Sequence, residues 1–273
     1  MKSSKETDID VKLIHMVNAF QLSGKALKGL EWLLSNEEVQ ASQEYANTVS
    51  IIRLGYNDHG PVHMRMVAHN AVIMLDLLRK AGIKTSLEAD GCGNFEDSLL
   101  AVIISSLLHD IGMGMGRQEH EVNSTILSQP ILEKLLSIIY HDDTYKRMML
   151  RAIALEGIRG HMGNINISSI EAGVVQIADG CDMTKGRARI PIAIATASLA
   201  KTGHIHQYSA NSIDEVKINT GTEKPIRIDV RMSSEVGLFQ VEEVLMTKIA
   251  NSTAKGHIEL YAMVHDNIEK RYL

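Results

Sequence analysis

Residues 98–123 read SLLAVIISSLLHDIGMGMGRQEHEVN, and the fold turns on them. From Leu99 to Leu108 the run is almost continuously apolar for about three helical turns, which predicts a buried central helix with no wet face. At its end His109 and Asp110 stand side by side, followed by Ile-Gly-Met-Gly-Met-Gly. An imidazole and a carboxylate held in one corner can bind a single metal ion or bridge two. The glycines let the backbone turn sharply and come close to a ligand. A His-Asp doublet can also simply cap a helix, and taken alone it leaves both readings open.

The doublet has company. LLHDIG resembles the signature of the HD superfamily of metal-dependent phosphohydrolases. In that family a His one helix upstream, the His-Asp pair and a distal Asp hold a metal, and dinuclear members add two His residues in between. This chain has a residue for each place. HGPVHMRMVAHN (59–70) carries His63 and Val67, like the family's His-x-x-x-Val; GRQEHEVNS (116–124) supplies His120; IRGHMGN (158–164) supplies His161. In EAGVVQIADGCD (171–182), Asp179 matches the family's Ala-Asp, and the continuation MTKGRARIP is similar to the Ala-Asp … Gly-Ala-Arg segment in the HD domain of ribonuclease Y. The resemblance spans residues 58–191. It implies a mainly α fold, an HD-domain helical bundle, to which the strand pattern after Gly203 appends a small C-terminal α+β (β-β-α-β) domain.

The resemblance also implies a site. His63, His109, Asp110 and Asp179 would hold one divalent ion, and His120 and His161 would complete a second. Asp110 would bridge the two as the central catalytic carboxylate. Imidazole and carboxylate without thiolate suit Mn, Fe, Co, Ni, Zn or Mg, and bound ions of this kind polarise a phosphate and activate water. Lys185, Arg187, Arg189 and His59 would contact the substrate, since guanidinium groups bind phosphate bidentately. One position departs from the pattern: many dinuclear relatives carry Lys after His-Asp-Ile-Gly, and here it is Met113.

Composition sets the frame. The chain has 273 residues, 45% hydrophobic and 22% charged, with 14 Met and only 4% aromatics, so an aliphatic, thioether-filled core is expected. A net charge of -5 argues against wholesale nucleic-acid coating. The N-terminus MKSSKETDIDVK is polar where a signal peptide is apolar. The longest apolar run falls short of the roughly 20 residues of a membrane span. Cys92 and Cys181 form no CxxC pair, so a reducing, cytoplasmic setting is expected.

The chain divides into N-terminal helices (1–54) packing on the core, an HD-type catalytic domain (55–203) and a C-terminal α+β domain (204–273). In the first, Val11, Ile14, Val17 and Leu22 mark an apolar face, and Ser35 or Asn36 caps a helix. On the helix opened by Pro61, His63, Val67 and Asn70 share the inner face, and His59 precedes it near the substrate. Residues 117–127 read as a helix broken at Gln129-Pro130, with a second helix over 131–139. His141-Asp142-Asp143 sits in a polar turn, where an Asp caps the next helix. That helix, 147–157, leaves His161 in a glycine-flanked loop. Ser168-x-x-Glu171 signals a capping box. Asp182 is expected to support the site or pair with Arg187, and Pro191 opens another helix. Residues 213–219, 225–232 and 257–265 read as strands, with an amphipathic helix over 237–250 and no ligand cluster.

The resulting expectation is a phosphatase or phosphodiesterase acting on a nucleotide-like phosphate ester. The Met-rich helices and the appended sheet leave room for a homodimer. A di-iron HD-fold oxygenase and a non-enzymatic nucleotide-binding sensor are the alternatives.

Overall fold

A helix that is apolar on every side needs neighbours on every side, and the helix that follows Asn94 has them. In the computed structural model, which describes residues 2–185, 204–265 and 269–273, all residues of α6 (Phe95–Leu108) are buried. Around it pack α2 (Lys25–Ser35), α4 (Pro61–Lys80), α8 (Thr144–Gly160) and α9 (Ile170–Cys181). Asn94 opens α6 with a capping box, its side chain accepting from the Asp97 amide while Asp97 accepts from Asn94. Each fully buried Leu or Ile contributes about 1.5–3 kcal/mol, so this helix anchors the fold. By length and composition Phe95–Met115 would also cross a membrane, which the run-length argument missed. It is 89% buried inside the bundle and is a core helix.

Two N-terminal helices, α1 (Ser4–Ala19) and α3 (Glu37–Thr48), are tied to the core through one buried arginine. Arg65 on α4 donates to Asp10 (2.7 Å), to Gln43 (3.0 Å) and to the Pro61 carbonyl (3.1 Å). The buried stripe of α1 is Ile9, Leu13 and Val17, four residues apart; Val11 is 61% exposed and does not belong to it. Asn36 caps α3. A short α5 (Ser86–Ala89) precedes α6.

Two helix boundaries differ from expectation. Pro130 does not break the chain, because α7 runs unbroken through His120–Ile139. The carbonyl that Pro130 cannot satisfy belongs to Ile126, and both residues lie on the exposed face of the helix, where a missing bond costs least. Likewise α8 continues to Gly160, making His161 its C-cap residue in αR conformation rather than a loop residue. Ser169, not Ser168, caps α9 by accepting from the Ala172 amide. Glu171 turns away from any capping box to accept from the Ser86 and Leu87 amides and the Ser98 hydroxyl.

Beyond α10 (His204–Asn211) comes a four-stranded sheet in the order β1 (Ile213–Thr220), β2 (Ile226–Met232), β3 (Ile258–Val264), β4 (Lys270–Arg271). β1 and β2 are antiparallel, β2 and β3 parallel, β3 and β4 antiparallel. Ile226, Ile228, Val230 and Met232 are buried with Ile258, Leu260 and Ala262, as the alternation in β2 predicts. The helix expected over 237–250 is present, opening on a 3-10 turn (Glu235–Gly237), passing through a π segment (Gln240–Leu245) and ending as α11 (Met246–Ala250). A parallel pair requires a crossover, and this is it. Arg187, Arg189 and the helix expected from Pro191 lie outside the described residues.

Candidate metal centre

Five elements converge below the end of α6. α4 presents His63, α6 ends on His109 and Asp110, α7 begins with His120, α8 ends on His161 and α9 carries Asp179 near its C-terminus. All six side chains are buried. Their sequence separation exceeds 100 residues, and the core packing alone brings them together.

The ring nitrogens show what the cluster is prepared for. His109, His120 and His161 each turn Nδ1 toward a main-chain carbonyl, of Ser106 (2.9 Å), Arg117 (3.0 Å) and Ile158 (2.7 Å) respectively. His63 Nδ1 faces the Asp182 carboxylate at 2.7 Å. An acceptor at Nδ1 keeps the proton there and leaves Nε2 as a lone pair. All four Nε2 atoms then point inward, His63 to His109 at 3.2 Å and His120 to His161 at 3.1 Å.

Asp110 sits between these two pairs. Its Oδ2 lies 3.4 Å from His63 Nε2 and 3.3 Å from His109 Nε2. Its Oδ1 lies 3.2 Å from His120 Nε2 and 3.4 Å from His161 Nε2, yet has no hydrogen-bond partner. Asp179 Oδ1 closes the first compartment, 3.2 Å from His63 Nε2 and 3.9 Å from His109 Nε2. Among the described residues, His63–His109–Asp110, His109–His161–Asp179 and Asp110–His120–His161 each bring one ligand atom apiece within 4.8 Å of one another.

Electrostatics keep the donors in ligand form. Burial pushes the Asp110 carboxyl up, but the neighbouring His109 and His59 outweigh it and hold it well below the usual carboxylate range. Asp179 is likewise held low against burial, chiefly by the Lys248 ammonium and the His63 bond. Burial lowers His161 to about 4, so its imidazole is neutral at neutral pH. Cys181 is buried near the same carboxylates and its thiol is pushed up, so it stays protonated.

The turn after Asp110 needs its glycine for close approach. A Cβ on Gly112 would lie 2.1 Å from the His120 carbonyl oxygen and 2.4 Å from the Ser124 amide nitrogen. Gly112 also donates its own amide to Ser124 Oγ at 2.8 Å. The start of α7 is thereby clamped onto the His-Asp turn, with Glu119 just before His120 in the left-handed region at φ 52°.

A cavity of about 480 Å³ opens from the centre. Asp110, His161 and Asp179 form its floor, with His59, Tyr56 and Arg117 on one side. Gln240, Glu243, Thr247 and Lys248 come from the crossover of the C-terminal sheet. His59 lines this cavity, 5.9 Å from His63 between ring centroids. Lys185 is exposed, paired with Asp214 at 3.1 Å, and is not part of the cavity lining. His141 is exposed beside Asp142, away from the site. Asp182 supports the site through His63.

Lys248 was not foreseen. It is buried, and its ammonium bonds both Asp179 and the His161 carbonyl. In the sequence it is one Lys in MTKIA, with no signal that separates it from a solvated charge. The C-terminal part, read as carrying no ligand cluster, places this one buried ammonium against Asp179.

The helical bundle with its buried His/Asp centre defines a class. Residues 62–184 match the HD domain, and the chain belongs to that family, whose members are in general metal-dependent phosphohydrolases acting on phosphate esters. Over 232 residues, 85% of this chain and 86% of the other, it is 42% identical to the uncharacterized protein MJ1020 of Methanocaldococcus jannaschii. No solved structure matches the chain.

Proposed function

We propose that the chain is a dinuclear metal-dependent phosphatase or phosphodiesterase acting on a nucleotide-like phosphate ester. The observation that carries this reading is the disposition of Asp110, with one oxygen toward each pair of inward Nε2 atoms. With Nδ1 protonated, facing lone pairs 3.1–3.2 Å apart repel each other and the buried Oδ1 lacks a donor, and a cation in each space relieves both. Donors about 2.1 Å from one ion stand about 3.0–3.4 Å apart, and the spacings here are 3.1–3.4 Å except for 3.9 Å between Asp179 Oδ1 and His109 Nε2. The residues fit the group. His63, His109, Asp110 and Asp179 hold one ion, and His120, His161 and Asp110 hold the second. When bound, such ions polarise a phosphoryl oxygen and bring the pKa of water near neutrality.

The chain's own residues do the rest. Asp182 fixes the His63 ring, and the Ser106, Arg117 and Ile158 carbonyls fix the other three. His59 and Arg117 border the cavity beside the ligands, where they orient the phosphate. Arg117 has no carboxylate partner among the described residues; its contacts are the His120 ring and Met162 Sδ. Arg187 and Arg189, which follow α9 in the sequence, are proposed as further anion contacts; Lys185, paired with Asp214 outside the cavity lining, is not. A cavity near 480 Å³ is of a size that takes a nucleotide. In this reading residues 55–203 are the catalytic unit, 1–54 cover it and 204–273 supply the far wall of the cavity.

Metal content of the purified chain, with turnover of an aryl phosphate and a bis-aryl phosphodiester in Mn, Ni or Mg, tests the proposal. Two ions per chain are expected, with hydrolysis lost in His109→Ala and Asp179→Ala. Metal bound without hydrolysis of either ester overturns the assignment of activity, and no metal at all overturns the site.

A further inference from the structure

The C-terminal module is locked to the metal centre at the level of backbone contact. A Cβ on Gly173 of α9 would lie 2.3 Å from Thr253 Oγ1 and 2.7 Å from Ser252 Oγ. A Cβ on Gly180, seven residues further along, would lie 3.1 Å from a Leu245 methyl and 3.2 Å from Lys248 Cδ. The two glycines form a groove on one side of α9, and the segment 245–253 lies in it. Four hydrogen bonds fix its register there. Ser252 donates to the Gly173 carbonyl (3.0 Å), Thr253 to the Ser169 carbonyl (2.6 Å), Asn251 to the Gly163 carbonyl (3.0 Å) and Lys248 to the His161 carbonyl (3.0 Å). The docking thus places one residue, Lys248, against a proposed ligand of each metal.

A buried ammonium needs its three donors used, or it costs several kcal/mol in lost hydration. Lys248 spends two of them, on Asp179 Oδ2 and on the His161 carbonyl. One acceptor lies on α9 and the other at the end of α8, and the same side chain lines the cavity with Asp110 and His161. That leaves a third N–H to offer to a ligand in the cavity. Loaded with two divalent ions, and with Lys248 and Arg117 in its wall, that space is electropositive and selects an anion. Met113, in contrast, is wholly buried and offers no donor.

We propose that Lys248 is a substrate-contacting residue, delivered by the C-terminal module, whose free N–H binds a phosphate oxygen while its other two orient Asp179 and the end of α8. The inference rests on the phosphohydrolase reading and adds a residue from outside the matched HD segment. It makes the module part of the anion site, so the bundle alone has an incomplete cavity.

The test uses the full chain with Lys248→Met and Lys248→Arg. Titration calorimetry reads Mn binding first and then orthophosphate binding to the Mn-loaded protein; KM and kcat for an aryl phosphate are measured in parallel. A charge-assisted hydrogen bond lost to a methionine should weaken orthophosphate by about tenfold or more and raise KM similarly, with Mn still bound. Lys248→Arg should recover most of that affinity, which a purely structural lysine would not predict. Unchanged orthophosphate affinity in Lys248→Met overturns the proposal, as does loss of Mn with no separate effect on orthophosphate. If Lys248→Met does not fold, Lys248→Arg decides: orthophosphate binding within a few-fold of the parent supports the contact and its loss refutes it. A parent that binds Mn and orthophosphate but hydrolyses neither ester sinks the phosphohydrolase reading, while the calorimetric comparison still decides Lys248.

Discussion

Replacing Gly112 by alanine should open the metal centre from behind. The added methyl carbon would lie 2.1 Å from the His120 carbonyl oxygen, whereas ordinary contact begins at 3.4 Å. Neither obstacle is a flexible side chain, since His120 O and Ser124 N are backbone atoms of α7. The start of α7 must therefore retreat by roughly 1.3 Å, and catalytic constellations tolerate only about 0.5 Å. His120 is the first residue of α7, so its Nε2, now 3.2 Å from Asp110 Oδ1, moves out of reach of an ion shared with Asp110. Overpacking costs about 1–3 kcal/mol, and losing the Gly112 amide bond to buried Ser124 adds about 1 kcal/mol. At about 2–4 °C per kcal/mol for a domain of this size, Tm should fall by roughly 5–15 °C. Calorimetric unfolding of the metal-free chain reads the first effect, and Mn titration reads the second as a drop from two ions to one. Ser124→Ala removes the hydrogen bond without the clash and should keep both ions. If Gly112→Ala binds two ions with parental affinity and melts within 2 °C of the parent, the clamp between the His-Asp turn and α7 is not what holds His120.

Three further outcomes follow from the same geometry. Asp182→Asn removes the charge behind His63 Nδ1 and should lower metal affinity about 10–100-fold, read by competition with a chelating dye; an unchanged affinity would show that Asp182 does not tune the ligand. Glu171→Ala strips the acceptor from two amides and the Ser98 hydroxyl, and should cost at least about 3 kcal/mol in urea unfolding without altering metal stoichiometry. In the metal-free chain His161 titrates near 4, against an ordinary 6.5. As pH falls below 6.5 the unfolded chain takes up the proton first, so stability rises with pH across this window and is lost on acidification. At about 1.36 kcal/mol per unit the loss approaches about 3 kcal/mol by pH 4, and the low-lying Asp110 and Asp179 extend it further down. Denaturant melts at pH 7, 5.5 and 4.5 check the sign, and greater stability at the acid end would contradict it.

The central helix and the identity of the clustered residues were legible because both are local or motif-level properties. Eight apolar residues within the ten from Leu99 to Leu108 have one stable environment, and α6 occupies it. His63, His109, Asp110, His120, His161 and Asp179 were named from short motifs, and the fold gathers all six in one buried cluster. Helix ends were harder to read. Pro130 looked like a break because its cost was judged without knowing that it and Ile126 lie on the exposed face of α7. Glu171 looked like half of a capping box, whereas its carboxylate finds better donors on α5, 85 residues earlier in the chain.

Sequence alone thus determined which side chains are available for metal chemistry, since donor type and helical periodicity are carried by neighbouring residues. Tertiary structure decided how they act: which nitrogen of each imidazole faces inward, that Asp110 divides its oxygens between two pairs, and that Asp182 stands behind His63. It also decided the role of Lys248. A lysine in a five-residue helix has no periodic or motif signature, and its meaning comes from the groove of Gly173 and Gly180 that seats it against Asp179. Hydrogen-bond direction and charge pairing depend on distances between residues far apart in the chain, and only packing sets those distances.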